Sequence, residues 1–567
     1  MPAAHWLLHG LALALEPQTL LYALLGCLLG TLVGVLPGIG PTSAIAMLLP
    51  LTAILPPLPA LAMMAAIYYG AMYGGSTSAI VVNIPGEASS VPTALDGYRL
   101  ARQGRAGAAL GIAAIASFVA GTLSLVGLTF FAPALAGVAL AFGPPEYFAL
   151  MLLAFGLVAS LSGASMLKGA VAALLGLLVA MVGLDPVTGA ARWTLGWVPL
   201  MAGFHFVAVI IGLFAVSEVL LNAEQAVTHL YQARVRGWLP GRGDLRASWP
   251  AMLRSSVIGF LLGLLPGCSP AVTTFVAYDA ERRMSRHPER FGRGAIEGVA
   301  AAEAANNATS TAGFVPLFSL GLPSGPVPAV LLGGLMMYGL DPGPELFRQH
   351  PEFVWTVIAS MYVGNVALLV LNLPLIGLWV RVARIPFAVL GPVILVLSAL
   401  GAYSLRYLML DVWVALGFGV VGYLLRKLDF PVAPLVLANV LAPALEESFR
   451  QSLALSGGSP AIFVTRPLAA AFLGLAVLVT ARGLWGAWRG SRARPQQVAA
   501  AGQGPDEGAG AGGGDGVPGQ RGDRVTVPAA PPSGPEENGA GPGCGVPEGR
   551  GAGPVAGERE VPAGAGR

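Results

Sequence analysis

The chain has 567 residues, 55% of them hydrophobic and only 11% charged, with a mean hydropathy of +0.71. Globular chains carry roughly 25% charged residues, so this composition cannot cover a water-soluble surface of such size, and a soluble enzyme is excluded. A net charge of +3 is too small to imply nucleic acid as a partner, and Cys27, Cys268 and Cys544 are too few and too scattered for a disulfide scaffold.

No Lys or Arg precedes Arg99, so the N-terminus lacks the basic region of a cleaved secretory signal and the first segments are read as retained. A hydrocarbon core of ~30 Å needs about 20 apolar residues per helix. Such runs fall near 58–83, 107–140, 146–163, 166–184, 199–221, 297–340, 353–380, 387–404, 409–425, 433–449 and 461–485. Those at 107–140 and 297–340 are long enough to hold a break. Two more runs, 20–55 and 251–278, are apolar but interrupted by Pro and Gly. Beyond Arg489 the composition turns to Gly, Ala, Pro and polar residues, which cannot bury enough surface to offset ordering entropy and predict a disordered tail.

An internal repeat is visible. Gly30, Gly34, Leu36, Pro37, Gly38 and Pro41 recur in the same register as Gly259, Gly263, Leu265, Pro266, Gly267 and Pro270. Further on, Pro85 matches Pro323, Pro133 matches Pro374, Pro145 matches Pro386 and Gly176 matches Gly417, with the offset slightly lengthened. Equivalent loops carry opposite charge. The loop 51–58 has no basic residue, whereas its counterpart holds Arg282, Arg283, Arg286, Arg290 and Arg293; the next loop has Arg99, Arg102 and Arg105 against Arg348 alone. Under the positive-inside rule this selects inverted over parallel repeats. If each broken run is a re-entrant hairpin and every other run crosses once, the clusters Arg99 to Arg105, Arg234 to Arg254, Arg282 to Arg293 and Arg482 to Arg494 are all cytoplasmic. Only Arg192, Arg348, Arg406, Arg450 and Arg466 then face outward.

The expected architecture is an all-α polytopic membrane protein of two inverted repeats. Each has about five spans and a Pro/Gly-broken re-entrant hairpin, and a C-terminal helix follows. The expected divisions are 1–221 for the first repeat, 222–254 for a basic cytoplasmic linker and 255–450 for the second repeat. Residues 451–488 form the last transmembrane helix and 489–567 the disordered cytoplasmic tail. The N-terminus is periplasmic.

Broken backbone at membrane depth is tolerated only inside protein or along an aqueous cavity. Interrupted helices at matching positions of inverted repeats point to a transporter's midplane site, where half-helix N-termini face an anionic substrate. Here those places are Gly38 to Ser43 and Gly267 to Thr274, with Thr42, Ser43, Ser269, Thr273 and Thr274 supplying hydroxyls. The competing reading, in which Gly and Pro merely kink packed helices, is weakened by the second copy. Two polar stretches follow the breaks. The first runs from Tyr68 through Ser76, Thr77 and Ser78 to Asn83, Pro85, Gly86 and Glu87. The second contains Glu303, Asn306, Asn307, Thr309, Ser310 and Thr311, then Leu322, Pro323, Ser324 and Gly325. Small residues also serve close helix packing, and Glu303 could lie at a solvated edge, but intramembrane acids and amides are functional candidates by default. The candidate substrate-binding set is Gly38, Thr42, Ser43, Ser76, Thr77, Ser78, Asn83, Gly267, Ser269, Thr273, Asn306, Asn307, Thr309 and Ser310.

The first stretch, with Ala94-Leu-Asp-Gly-Tyr98 and Ala101-Arg-Gln-Gly-Arg-Ala-Gly107, resembles the first signature of the large membrane subunit of tripartite tricarboxylate transporters, the TctA family. Leu265-Pro-Gly267, Phe291-Gly-Arg-Gly-Ala-Ile-Glu297, Glu303-Ala-Ala-Asn-Asn307, Leu320-Gly-Leu-Pro323 and Gly339-Leu-Asp-Pro-Gly-Pro344 resemble the second. The resemblance covers about residues 15–485. It implies a bacterial inner-membrane permease for small, citrate-like carboxylates that works with a small membrane subunit (TctB-like) and a periplasmic solute-binding protein (TctC-like). It also implies drive by an ion gradient, with Na⁺ or H⁺ as the coupling cation and no other cofactor. Two departures stand out: Ala302 where many members have Pro before the acid, and Cys268-Ser269 in place of a more Gly-rich tip. The chain has no Walker A sequence and no HExxH pairing. A channel and an intramembrane enzyme are the rival classes; the enzyme would need an acid cluster or nucleophile–base pair that the sequence lacks.

Overall fold

The computed structural model describes residues 3–36, 40–52, 54–161, 165–185, 188–224, 237, 239–382, 385 and 387–501. Pro37 and Gly38 at the first break, residues 225–236 and 238 of the linker, and the expected tail beyond 501 lie outside the described residues. Met1–Ala500 make one contact unit and Ala501–Arg567 another.

In chain order the first helices are α1 (Ala3–Ala14), α2 (Pro17–Val35), α3 (Pro41–Thr52) and α4 (Pro57–Val82). After a 3₁₀ turn at Ala88–Ser90 come α5 (Val91–Arg102), α6 (Ala106–Ala139), α7 (Pro144–Leu161) and α8 (Met166–Ala180). A two-residue hairpin, β1 (Gly183–Leu184) antiparallel to β2 (Ala191–Arg192), leads to α9 (Phe206–Ile210), a π-turn (Ile211–Val216) and α10 (Ser217–Glu224). The rest is helical: α11 (Arg242–Gly263), α12 (Pro270–Met284), α13 (Ile296–Ala312), α14 (Phe314–Leu320), α15 (Pro326–Met337), α16 (Pro344–Gln349), α17 (Pro351–Asn372), α18 (Ile376–Val382), α19 (Phe387–Ser404), α20 (Met409–Lys427), α21 (Val432–Leu455), α22 (Ile462–Thr465) and α23 (Pro467–Ala501). Proline opens α2, α4, α12, α15 and α17, where its missing N–H costs no hydrogen bond and its fixed φ suits the first turn.

Among the described residues eight helices are long and apolar enough to cross a membrane: α2, α6, α7, the continuous Phe206–Glu224 helix, α17, α19, α20 and α21. This is an all-α polytopic architecture. It departs from the expected spans in detail. The run 297–340 is three helices, broken at Gly313 and again between Leu320 and Pro326. α2, expected as one limb of a short hairpin, is itself of membrane length. The run 58–83 is the 26-residue α4, whose Gly, Ser and Tyr content keeps it out of the eight. It is buried continuously from Pro59 to Val82, so protein rather than lipid surrounds it.

Two crossings hold the centre together. On α2, a Cβ added to Gly26, Gly30 or Gly34 would stand 2.5, 2.3 and 2.3 Å from the carbonyl oxygens of Met63, Ile67 and Ala71 on α4. Reciprocally, a Cβ added to Gly70 or Gly74 of α4 would stand 2.6 and 2.4 Å from the Cys27 and Thr31 carbonyl oxygens. This is the small-xxx-small packing that lets membrane helices meet backbone to backbone. The later crossing repeats it: Gly259 and Gly263 of α11 lie against Ala305 and Thr309 of α13.

Candidate functional site

α4 and α13 are both buried on every side over most of their length, so their polar side chains must find partners inside the protein. Glu303 is fully buried. Its Oε2 accepts from Ser76 Oγ at 2.5 Å and more distantly from Ser117 Oγ at 3.4 Å, and Oε1 accepts from Thr93 Oγ1. Asn307 donates from Nδ2 to Ser117 Oγ at 2.7 Å. Tyr69 hydroxyl pairs with Thr311 Oγ1, and Tyr73 hydroxyl donates to Asn365 Oδ1 at 2.8 Å. Thr309 Oγ1 meets Thr273 Oγ1 at 2.7 Å and donates to the Gly259 carbonyl at 3.0 Å, tying α11, α12 and α13 together.

Beside this polar seam lies a cavity of about 340 Å³. Its wall includes the first residues of three helices: Pro41 to Ser43 of α3, Ser269 to Ala271 at α12, and Gly325 to Pro328 at α15. Tyr68, Gly86, Glu87 and Ser89 complete one side, and Phe214, Glu218 and Arg426 another. The first N–H groups of a helix have no partner within it and carry the positive end of its dipole. A hollow shared by three such ends, fringed with Ser and Thr hydroxyls, therefore suits a small anion. Arg426 adds a formal cation that is ion-paired to Glu218 and lies 5.8 Å from the Phe214 ring centroid. A second cavity of about 260 Å³ shares Ser269 and Gly325 and reaches Gly267 and Pro323. Gly267 has φ +89°, and a Cβ there would come within 2.8 Å of Val158 Cα; its N–H donates to the Ser324 carbonyl at 2.9 Å. The break between α11 and α12 is thus fastened to the turn that opens α15.

The predicted residues divide between these places. Thr42, Ser43 and Ser269 share the 340 Å³ cavity, and Gly267 lines the adjoining one. Ser76, Asn307, Thr309 and Thr273 are in the buried seam. Thr77 borders a void of about 10 Å³. Ser78 and Ser310 donate to the carbonyls of Gly75 and Asn306. Asn306 is buried with neither amide atom at hydrogen-bond distance from a partner, although its side chain lies next to Glu87. Asn83 stands apart: it is exposed and ends α4 with φ 58°, a left-handed cap that Asn tolerates. Gly38 lies outside the described residues. The candidate set omitted Glu218 and Arg426, which come to the cavity from helices far apart in sequence. It also omitted Tyr68, Glu87 and the Ser324–Pro326 turn, for which the matched Pro85 and Pro323 were a usable signal. Among the described residues no cluster of His, Cys, Asp and Glu is arranged to hold a metal ion.

A family model for the tripartite tricarboxylate transporter TctA family matches residues 20–437. The chain belongs to the TctA family. It is a multi-pass membrane component of a tricarboxylate transporter, and TctA is not an enzyme family. An uncharacterized 52.8 kDa protein in the TAR-I ttuC' 3' region of Agrobacterium vitis is 46% identical over 475 residues, 83% of this chain and 95% of that protein. A second uncharacterized protein, in the TAR-II ttuC' 3' region of the same organism, is 43% identical over 220 residues, covering 39% of this chain and 91% of its own length. No solved structure matches the chain.

Proposed function

We propose that this TctA chain is the permease subunit of a binding-protein-dependent secondary transporter that imports citrate-like carboxylates by cation symport. The observation that carries this reading is the 340 Å³ cavity bounded by the starts of α3, α12 and α15. Its volume falls in the range of small-molecule sites, about 300–1,000 Å³. Thr42, Ser43 and Ser269 offer hydroxyls and the helix starts offer N–H groups to carboxylate oxygens, while Arg426 at the rim attracts the anion. The partners are a TctB-like small membrane subunit and a TctC-like periplasmic binding protein, in the bacterial inner membrane and in contact with its lipid.

Two inverted repeats are part of the proposal. α2–α3–α4 and α11–α12–α13 have the same order of long helix, break, half-helix and buried helix. The matched glycines, Gly30 and Gly34 against Gly259 and Gly263, make the same kind of crossing in each. The distribution of basic residues supports a periplasmic N-terminus and a cytoplasmic tail, which puts the Arg426 rim on the cytoplasmic side, so that the cavity opens inward.

Citrate uptake into proteoliposomes holding the chain and both partners tests the reading. Ser269→Ala and Thr42→Ala should each weaken apparent citrate affinity by about tenfold, the effect of one hydrogen bond to a charged group. Wild-type affinity in both variants, or uptake indifferent to the binding protein, would refute it.

A further inference from the structure

Glu303 poses a charge problem that the substrate cavity does not solve. An ionised carboxylate taken fully out of water costs several kcal/mol unless a cation accompanies it. Its polar contacts are the three hydroxyls of Ser76, Thr93 and Ser117. The titratable groups within its electrostatic reach are Glu87, on the turn after α4, and Tyr73, on α4 itself. The acids on the neighbouring elements are engaged elsewhere. Asp96 of α5 accepts from Tyr278 hydroxyl and from the backbone of Gly294 and Ala295, and Glu281 of α12 is paired with Arg254 of α11. α6 carries no titratable side chain, and of its hydroxyls Ser117 is the one that reaches Glu303.

Space favours the smallest cation. The void beside the Glu303 partners Ser76 and Ser117, which Glu303 itself does not line, measures about 10 Å³, at the lower limit for a single water. A hydrated metal ion has no room there, but a proton needs none. Hydroxyls are both donors and acceptors, so whichever of Ser76 and Thr93 faces the protonated oxygen can turn from donating to Glu303 to accepting from it, while the other keeps donating, without moving a heavy atom. Asn306 leads from this acid toward the cavity. It is fully buried, one turn along α13 from Glu303, and its side chain meets Glu87, which lines the cavity.

We propose that Glu303 is the proton carrier of the transport cycle, loaded and unloaded by way of Asn306 and Glu87, the second of which lines the cavity. The inference rests on the carboxylate-symport reading above and names its coupling ion. A proton from cavity water binds a carboxylate lone pair, neutralises the charge, and returns to water after the substrate leaves; no bond of the substrate changes. The anion in the cavity and the proton on Glu303 each favour the other, and that coupling is reciprocal by linkage.

Infrared difference spectroscopy of the full chain in lipid nanodiscs, titrated with and without citrate, reads the proton directly. A protonated-carboxyl band that disappears as pH rises, is missing in Glu303→Gln and persists with a displaced midpoint in Glu303→Asp is the expected result. If no carboxyl band is lost in Glu303→Gln, the assignment is overturned. In proteoliposomes with both partners, Glu303→Gln should lose the accumulation of about tenfold per pH unit that one coupled proton supports, while still exchanging internal for external citrate. Loss of exchange as well, in protein that remains folded, makes Glu303 structural and overturns the proposal, as does wild-type uptake driven by Na⁺ alone. A wild type that takes up no citrate defeats the carboxylate reading, and the infrared titration still decides whether Glu303 binds a proton.

Discussion

Replacing Gly34 by Ala tests how the 340 Å³ cavity is held in shape. The added Cβ would lie 2.3 Å from the Ala71 carbonyl oxygen and 2.8 Å from Ala71 Cα, where ordinary contact begins at 3.4 Å. Both nearby atoms are backbone in the middle of α4, so no side chain can swing aside, and α2 must retreat by about 1 Å. Overpacking of this kind costs about 1–3 kcal/mol. The Gly34 carbonyl also meets the position a Gly86 Cβ would occupy, at 2.3 Å, so the displacement is passed to the Gly86–Glu87 wall of the cavity. Reversible unfolding in mixed micelles, followed by near-ultraviolet circular dichroism, measures the loss. Gly417→Ala is the control, because Gly417 is exposed on α20 and nothing lies within 4 Å of its absent Cβ; it should stay within about 0.5 kcal/mol of wild type. Equal stability of the two variants would refute the backbone-contact account of the α2–α4 crossing.

Asp96 of α5 accepts from the backbone N–H of Gly294 and Ala295, both at 2.8 Å, and from Tyr278 hydroxyl at 2.7 Å, so it fastens the end of the arginine-rich loop, just before α13, to α5. Asp96→Ala leaves those donors unpaired at about 1–3 kcal/mol each where they are buried, and limited proteolysis should cut the 285–295 loop faster than in wild type; an unchanged cleavage rate refutes the clamp. At the cavity rim, Arg426→Gln and Glu218→Gln should move apparent citrate affinity in opposite directions. The first weakens it and the second strengthens it, each by up to about fivefold, since the pair is only partly buried. Both effects should shrink as ionic strength rises, and shifts of the same sign would show that Arg426 does not face the anion.

Much of the candidate site was readable because its chemistry is local. A Pro-Gly break followed by Ser or Thr is an interrupted helix with hydroxyls at its start wherever the chain folds it, so Thr42, Ser43 and Ser269 could be named from the sequence. Glu303, Asn306 and Asn307 stood out because acids and amides are costly in an apolar run. Their partners could not be read the same way. Thr93 and Ser117, which join Glu303, are ordinary hydroxyl residues on other helices. Glu218 and Arg426 looked like charges at span ends until the fold brought them to one cavity. Asn83 differs: it belongs to a polar stretch of the sequence, and in the structure it is an exposed, left-handed helix cap away from the cavity wall.

Composition and periodic apolar runs by themselves determined that the chain is a polytopic helical membrane protein. Hydrocarbon leaves few ways to satisfy a backbone, and that constraint acts residue by residue. Which helices face lipid was decided only by tertiary packing. α4 has the length of a span yet is enclosed by protein, because glycines on α2 and α4 bring the two backbones into contact. The joining of three helix starts into one cavity, and the enclosure of Glu303 by hydroxyls from three other helices, likewise depend on contacts between residues distant in sequence. No local pattern encodes those contacts.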